Sequence, residues 1–205
     1  VSGDAFDARI IDEVVAPMMG KGTSYDVGFG SDTLIPAWLF HKLRRWHHIP
    51  LLNEPATLRL IAQIEHGAQA PAKFERFLRL VRDDLGLWLH QAVERAKISM
   101  SKHGDGQLTV GAGIDLDERL EAHAFDQWIA PDLAAIGSVL DEVVLQAGLT
   151  PSKIDRVFTT GGTSMVPAVR RELERRFGAA KLVGGNELVT VALGLARRAK
   201  AVFSP

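Results

Sequence analysis

Apolar residues recur at helical spacing through the first half of the chain, which predicts a helix-rich region. An opening helix should begin near Asp4 and end at Gly20, and its apolar positions are Phe6, Ile10, Ile11, Val14, Val15 and Met18. Residues 21–33 are rich in Gly, Ser and Asp, which predicts a loop. Further helical segments are expected over 36–50, 53–67 and 71–102, the last dividing near 84–86.

The second half of the chain mixes strand-like and helix-like patterns. Leu108–Val110 predicts a strand, and 118–147 predicts a helix that is interrupted or kinked at Pro131. Two strand–diglycine–helix units follow. The first has a strand at 156–160 and a helix at 167–177, and the second has a strand at 181–183 and a helix at 187–201. Successive units of this kind favour an α/β layer with parallel strands.

Composition excludes several classes of protein. The chain has 205 residues, 46% of them hydrophobic, with 24 Lys and Arg against 25 Asp and Glu and a net charge of −1. A globular protein is therefore expected, and a nucleic-acid partner is not, because binding by counterion release favours a basic surface. The absence of cysteine excludes disulfides, thiolate zinc sites and a cysteine nucleophile.

Location and completeness are also suggested by the sequence. No apolar run approaches the length of a membrane span, and no signal-peptide pattern is present, so we expect a cytoplasmic protein with no membrane partner. The chain opens at Val1 without an initiator methionine and enters a helical pattern almost at once. We expect it to be a piece of a longer protein.

The strongest candidate for chemistry is the turn that begins at Gly161 and Gly162. Glycine removes the Cβ, and a following helix start offers free N–H groups, so a phosphate or the edge of a nucleotide could approach closely. A tight strand-to-helix turn that binds nothing is the alternative. Gly184, Gly185 and Asn186 form a second such turn, and in a parallel sheet both would emerge at the same edge.

A second candidate lies in the helical region before residue 103. Glu94, Lys97 and Ser101 have the spacing of one helix face. A carboxylate and an ammonium one turn apart could bind the two hydroxyls of a ribose, the first accepting and the second donating hydrogen bonds. The alternative is an ion pair within the helix, with a solvated serine nearby.

Other chemistry has little support in the sequence. His41, His47 and His48 are neighbours in the chain, but no carboxylate shares a ligand spacing with them, so no metal site is predicted. No serine–histidine–acid arrangement can be argued from spacing. The prediction is therefore of a binding site without catalytic residues.

Four segments in this order resemble the heat-shock-70 (DnaK-like) chaperones. They are Ser2–Asp7, Glu94–Lys97, Val157–Pro167 and Val191–Ala196. The resemblance is to the second half, lobe II, of the actin-like ATPase domain, and is closest to the divergent YegD-like branch. It implies a helix-rich α/β fold, half of an actin-like (ribonuclease H-like) domain. Residues 1–125 would form an outer helical subdomain carrying a small sheet, and 126–205 an incomplete base subdomain of parallel strands and helices.

The resemblance also implies roles for individual residues. Glu94 and Lys97 would contact ribose, and Ser101 adenine; the residues that run beside the adenosine and the α-phosphate would be Gly161, Gly162 and Thr163. Ile98 and Met165 stand where the family usually has two arginines that sandwich adenine. Apolar contact would replace cation–π stacking at these two positions.

By this resemblance, the chain is an ATP- or ADP-binding lobe of a stress-response chaperone, with Mg in the intact protein. The phosphate-binding loops, metal-holding aspartates and catalytic lysine of the family precede this segment, so no significant ATPase activity is expected from it alone. Clients or co-chaperones could bind the outer subdomain. Two alternatives stay open: a sugar kinase lobe, or an interaction module with a decayed nucleotide site, in which the insert at 34–80 docks a partner through Trp38, Phe40 and Trp46.

Overall fold

The computed structural model describes residues 3–28, 31–111, 113–184 and 190–203, with only the backbone of Thr190 and Val191. By its internal contacts the chain divides into two compact units. The first unit is Asp4–Ile129, and the second consists mainly of the chain from Ala130 onward. The outer and base subdomains at 1–125 and 126–205 stay a prediction about the family's architecture.

The first unit opens with a nearly continuous helix, as its apolar spacing predicts. The α-helix α1 (Gly3–Ile10) continues through a π-helical turn at Ile11–Val15 into α2 (Ala16–Met18). Five of its apolar side chains are fully buried: Phe6, Ile10, Ile11, Val15 and Ala16. The spacing of apolar residues does not reveal the π turn, which inserts one extra residue into a helical ladder.

A short antiparallel hairpin follows this helix. The prediction that residues 21–33 form a loop is therefore wrong where the two strands lie. Strand β1 (Ser24–Asp26) pairs with β2 (Asp32–Leu34), with Ser24 opposite Leu34. Tyr25 is the one buried side chain in these two strands. With so few apolar residues the segment shows no alternation, and its strands are held by backbone pairing.

Four α-helices and two 3₁₀ segments build most of the first unit. They are α3 (Ala37–His41), the 3₁₀ segments Lys42–Arg44 and Trp46–Asn53, α4 (Pro55–Gly67), α5 (Pro71–Arg82) and α6 (Gly86–His103). The predicted division of the long helical region is confirmed. Phe77 is central to the core, because its ring lies 5.3 Å from that of Phe74 and 5.4 Å from that of Phe40.

A second hairpin packs against α6. Strand β3 (Asp105–Val110) pairs along its whole length with β4 (Leu116–Glu121). The predicted helix beginning at 118 is therefore wrong at its start. Leu116 and Leu120 are buried on the inner face of β4, and their separation of four residues fits a helix as well as a strand.

Two helices follow the second hairpin: α7 (Ala122–Trp128) and α8 (Ala130–Gln146). The break between them falls at Ile129 rather than at Pro131, where a kink was predicted. Pro131 lies in the first turn of α8, and proline is tolerated there because that N–H has no partner within the helix.

The second unit contains the predicted parallel strands, although each is only two residues long. Strand β5 (Val157–Phe158) pairs with β6 (Leu182–Val183), Val157 opposite Leu182. Helices α9 (Pro167–Phe177) and α10 (Thr190–Phe203) follow the strands, as expected. Of the second diglycine turn, Gly185 and Asn186 lie outside the described residues, as does the predicted helix start at 187.

The described part of the second unit buries fewer side chains than the first. Its buried apolar residues keep 3–9% of their surface exposed: Val144, Val166, Ala168, Val169, Leu173 and Phe177. Val139, Val143 and Leu145 of α8 and Phe158 of β5 are largely exposed. The fold is thus a helix-rich α/β structure with small sheets, consistent with a fragment of an actin-like ATPase domain.

Candidate functional site

Helix α6 presents the polar triplet that the sequence singles out. Its apolar face buries Leu89, Ala92, Val93, Ala96 and Met100, whose spacing of three and four residues faces the core. Glu94 is exposed, and Lys97 and Ser101 are partly buried. Ile98 leaves 43% of its surface exposed, so an apolar side chain is available to a ligand beside the polar ones.

Lys97 is held by an aspartate from another helix. Its Nζ lies 2.7 Å from Oδ1 of Asp7 in α1, and the two side chains are only 15% and 16% exposed. Among the described residues, the Lys97 ammonium has an ion pair with Asp7 alone. An ammonium has three N–H bonds, and this pairing leaves donors for a ligand.

The surroundings of Asp7 oppose its charge. Burial raises the pKa of the Asp7 carboxyl above its ordinary value, and the negative charge of Glu94 raises it further. The Lys97 ammonium lowers the same pKa through its charge and hydrogen bond, and His90 also lowers it. Glu94 and Lys97 therefore both act electrostatically on Asp7, in opposite directions.

The hydroxyl group of Ser101 donates its proton in a hydrogen bond within the helix. Its Oγ donates a hydrogen bond of 2.9 Å to the carbonyl oxygen of Lys97, one turn earlier. The oxygen lone pairs remain, so Ser101 can accept a hydrogen bond from an amino group of a bound base. The same bond ties the end of the polar face to the backbone that carries Lys97.

The diglycine turn of the second unit is open on its outer side. Gly161 has φ of +80°, a conformation that favours glycine, and a 3₁₀ turn begins at Gly162 and ends at Met165. The hydroxyl of Ser164 donates to the Gly161 carbonyl at 2.7 Å, which closes the turn. A Cβ built at Gly162 would meet nothing within 4 Å. Backbone is therefore accessible to a ligand there.

The remaining predicted residues lie in the same turn. Thr163 is partly buried, and Met165 leaves 48% of its surface exposed. The eight candidate residues thus form two sets, one on α6 in the first unit and one in the turn at 161–165 in the second. Contact of both sets with one ligand stays a prediction.

These residues fit an adenine nucleotide chemically. Glu94 offers an acceptor and Lys97 a donor for ribose hydroxyls, Ser101 offers an acceptor for a base, and Ile98 and Met165 offer apolar surface. The open space over Gly162 admits a ligand where any larger residue would intrude. Across residues 3–28, 31–111, 113–184 and 190–203, no group of three or more His, Asp or Glu is placed to hold a metal ion.

One member of the α6 site has no role in the sequence analysis. Asp7 appears there only as the last residue of the segment Ser2–Asp7, and nothing connects it to Lys97. The two residues are far apart in the chain, so no spacing rule joins them. The available signal is their opposite charge within two of the segments that carry the family resemblance.

Comparison with known proteins gives a consistent result. The family model described as "Hsp70 protein" matches residues 81–205, a range that contains all eight candidate residues. The chain is 25% identical to the chaperone protein DnaK of a Thermus thermophilus strain, and 23% identical to that of Deinococcus deserti. Each alignment covers 97% of this chain, but only 30% and 29% of the relatives' own length.

Proposed function

Because the chain belongs to the Hsp70 family, we propose that it forms an adenine-nucleotide-binding lobe of a chaperone ATPase. It spans about 30% of the length of the DnaK relatives that it matches. The activity of the whole protein is therefore part of the proposal: ATP binding and hydrolysis would change the closure of the lobes and so act on a client or co-chaperone. A cytoplasmic location and a role in stress response follow from the same likeness, and the YegD-like branch stays a prediction.

The observation that carries the proposal is the polar face of α6. Glu94 accepts a hydrogen bond from one ribose hydroxyl, and the Lys97 ammonium donates one to the other. Ser101 accepts a hydrogen bond from the amino group of adenine, since its own proton is given to the Lys97 carbonyl. Ile98, at 43% exposure, covers one side of the base with apolar surface.

The turn at 161–165 of the second unit is proposed separately as a nucleotide-contacting segment. Gly161, Gly162 and Thr163 run beside the adenosine and the α-phosphate, where backbone N–H groups can donate to phosphate oxygens. Met165, at 48% exposure, offers apolar surface to a base. Apolar contacts from Ile98 and Met165 are weaker than stacking by two guanidinium groups, so we expect low affinity and modest preference for adenine.

The chain alone is expected to bind nucleotide without hydrolysing it. Phosphoryl transfer depends on positioning and on neutralising charge around the γ-phosphate. The family resemblance assigns the phosphate loops, the Mg-holding aspartates and the catalytic lysine to the preceding half of the domain. ADP and ATP should therefore bind with similar affinity to this chain, and added Mg should change that affinity little.

A partner-docking role for residues 34–80 remains the second candidate. Trp38 and Trp46 are about half exposed, which favours it. Phe40 is fully buried against Phe77, so the prediction that Phe40 docks a partner is wrong. The sugar kinase alternative has no supporting observation among the described residues.

Calorimetric titration of ADP and ATP into the 205-residue chain tests the proposal. We expect weak binding of both nucleotides. Glu94→Ala should lower the affinity, and Gly162→Val should lower it by about tenfold or more, equivalent to about 1.4 kcal/mol. Because a Cβ at Gly162 has open space, valine there should leave the fold intact and block only the ligand. Gly111→Val is the matched control, since Gly111 also has open space but lies outside the site.

Two results would count against the nucleotide site. Absence of both heat and thermal shift at millimolar nucleotide would leave the interaction module as the better interpretation. Equal affinity in the parent chain and in both site variants would mean that nucleotide binds elsewhere.

A further inference from the structure

Asp7 holds the ammonium of the candidate ribose face of α6. The 2.7 Å ion pair joins α1 to α6, and more than four-fifths of each side chain is buried. A lysine side chain has four rotatable bonds and loses considerable rotamer freedom when it is fixed. Asp7 therefore fixes Lys97 before any ligand arrives.

The pair is placed to serve a ligand as well as the fold. The Asp7 carboxylate interacts electrostatically with both the Lys97 ammonium and the exposed Glu94, so the buried pair lies next to the exposed side of the helix. The backbone of Lys97 is fixed in turn by the hydroxyl of Ser101. Both ends of the lysine are thus held, and its remaining N–H bonds stay available.

We propose that Asp7 is the positioning residue of the ribose site: its carboxylate aims the Lys97 ammonium at a ribose hydroxyl and thereby sets the preference for ribonucleotides over deoxyribonucleotides. This inference rests on the proposed nucleotide-binding function. Asp7 itself does not touch the nucleotide. Its effect passes entirely through Lys97.

The test compares ADP with 2′-deoxy-ADP and 3′-deoxy-ADP in calorimetric titrations of the 205-residue chain. Asp7→Asn keeps the shape of the side chain and removes its charge. We expect it to weaken ADP binding by about tenfold, the size of one charge-assisted hydrogen bond, and to weaken binding of the better deoxy analogue much less. The ratio of the two affinities should therefore fall towards one.

A double-mutant cycle shows whether Asp7 acts through Lys97. Lys97→Met should lose the ribose preference, and adding Asp7→Asn to it should cause no further change in that preference. Asp12→Asn is the matched control, because Asp12 is also a buried aspartate of the opening helix, but it pairs with Arg44 and Lys21. That control should alter stability and leave the ribose preference unchanged.

A second readout needs no nucleotide. Proton exchange at an ammonium is slowed by a buried ion pair, so the Lys97 Nζ should give an observable signal in ¹⁵N NMR of the free chain. Asp7→Asn should remove that signal, and Asp7→Glu, which keeps the charge, should retain the signal and part of the ribose preference. If Asp7→Asn does not fold, the ribose preference of the Asp7→Glu variant is compared with that of the parent chain instead.

The outcomes separate this inference from the proposal beneath it. If the parent chain binds none of the three nucleotides, or binds all three equally, the proposed ribose site is wrong and Asp7 has nothing to position. If the parent prefers ADP and the preference survives Asp7→Asn, Asp7 is not the positioning residue, whereas the nucleotide site stands. Equal loss for all three nucleotides would show that Asp7 acts on the fold alone.

Discussion

At the residue scale, Arg176 joins α8 to α9 through two carboxylates. Its Nε lies 2.8 Å from Oε1 of Glu172 on its own helix, and its Nη1 pairs with Asp141 of α8. Arg175 adds a second guanidinium to Glu172 at 2.8 Å. A hydrogen bond from Arg175, followed by one from Arg176, lowers the pKa of the Glu172 carboxyl from 4.5 to about 2.

This lowered pKa predicts a pH dependence of the second unit's stability. A carboxyl whose pKa is lower in the folded than in the unfolded chain stabilises the fold at pH values above its unfolded-state pKa. This contribution disappears as the pH falls from about 4.5 to about 2. Glu172→Gln should lower the free energy of unfolding at pH 7 by about 1 kcal/mol. Urea denaturation at several pH values should show the parent and the variant converging in acid. A gap that stays constant with pH would contradict this prediction.

Asp12 is the corresponding charged residue of the first unit. It lies in the π turn, is buried, and accepts from Arg44 at 2.8 and 3.0 Å, with the ammonium of Lys21 3.7 Å away. Asp12→Ala should lower the free energy of unfolding by about 2–3 kcal/mol, less than for a fully buried pair because Arg44 is partly exposed. Glu75→Ala, which breaks an exposed pair with Arg79, should cost under about 0.5 kcal/mol. Chemical denaturation of both variants checks the contrast.

At the element scale, close packing between α6 and β3 positions the polar face of the helix. A Cβ at Gly106 would collide with the backbone carbonyl oxygen of Ala96, which cannot move aside as a flexible side chain could. Gly106→Ala should therefore destabilise the first unit by about 1–3 kcal/mol and weaken nucleotide binding by displacing α6. Gly111→Ala, with open space around it, should do neither. Thermal melts and ADP titrations of both variants test this, and a Gly106→Ala chain with the melting temperature and ADP affinity of the parent would contradict it.

Helices could be predicted from the sequence more reliably than hairpins. The ranges of α4, α5, α6 and α9 follow from apolar spacing together with proline at each start or a break at Asp84–Gly86. Strand β4 could not be predicted in this way, because the spacing of Leu116 and Leu120 fits a helix as well as a strand until β3 is known to pair with β4. Hairpin β1–β2 buries only Tyr25 and gives no apolar pattern at all.

The candidate site shows the same division between local and distant information. The shared helix of Glu94, Lys97 and Ser101 and the open turn at Gly162 both follow from local spacing. The pairing of Lys97 with Asp7 depends on how α1 packs against α6, which no local pattern encodes. Exposure of Ile98 and Met165 is likewise a property of the folded chain.

At the scale of the whole molecule, the two units differ in how much apolar surface they bury. The first contains fully buried residues such as Phe6, Phe40, Phe77 and Phe125, whereas the buried residues described in the second keep 3–9% exposure. Apolar burial is the main favourable contribution to folding. The second unit should therefore unfold at a lower denaturant concentration than the first.

Hydrogen exchange followed by mass spectrometry tests this difference. Slowly exchanging amides should concentrate in α1, α5 and α6, and amides of α8 and α9 should exchange at lower denaturant concentrations. Guanidinium titration should give two transitions, with the first affecting only residues beyond 129. A single cooperative transition with uniform protection would contradict the prediction.

Among the described residues, no helix is long and apolar enough to cross a membrane.

The two-residue strands of the second unit have a consequence for handling the protein. Within the described residues, β5 and β6 form a sheet only with each other, so each strand has an outer edge without a neighbouring strand, and Phe158 is 73% exposed. Such an edge is a template for pairing with further copies and for aggregation. The average molecular mass measured by light scattering should rise with protein concentration, and Phe158→Lys should suppress that rise. Affinity measurements on this chain therefore belong at low micromolar concentration, where turbidity does not mimic a binding signal.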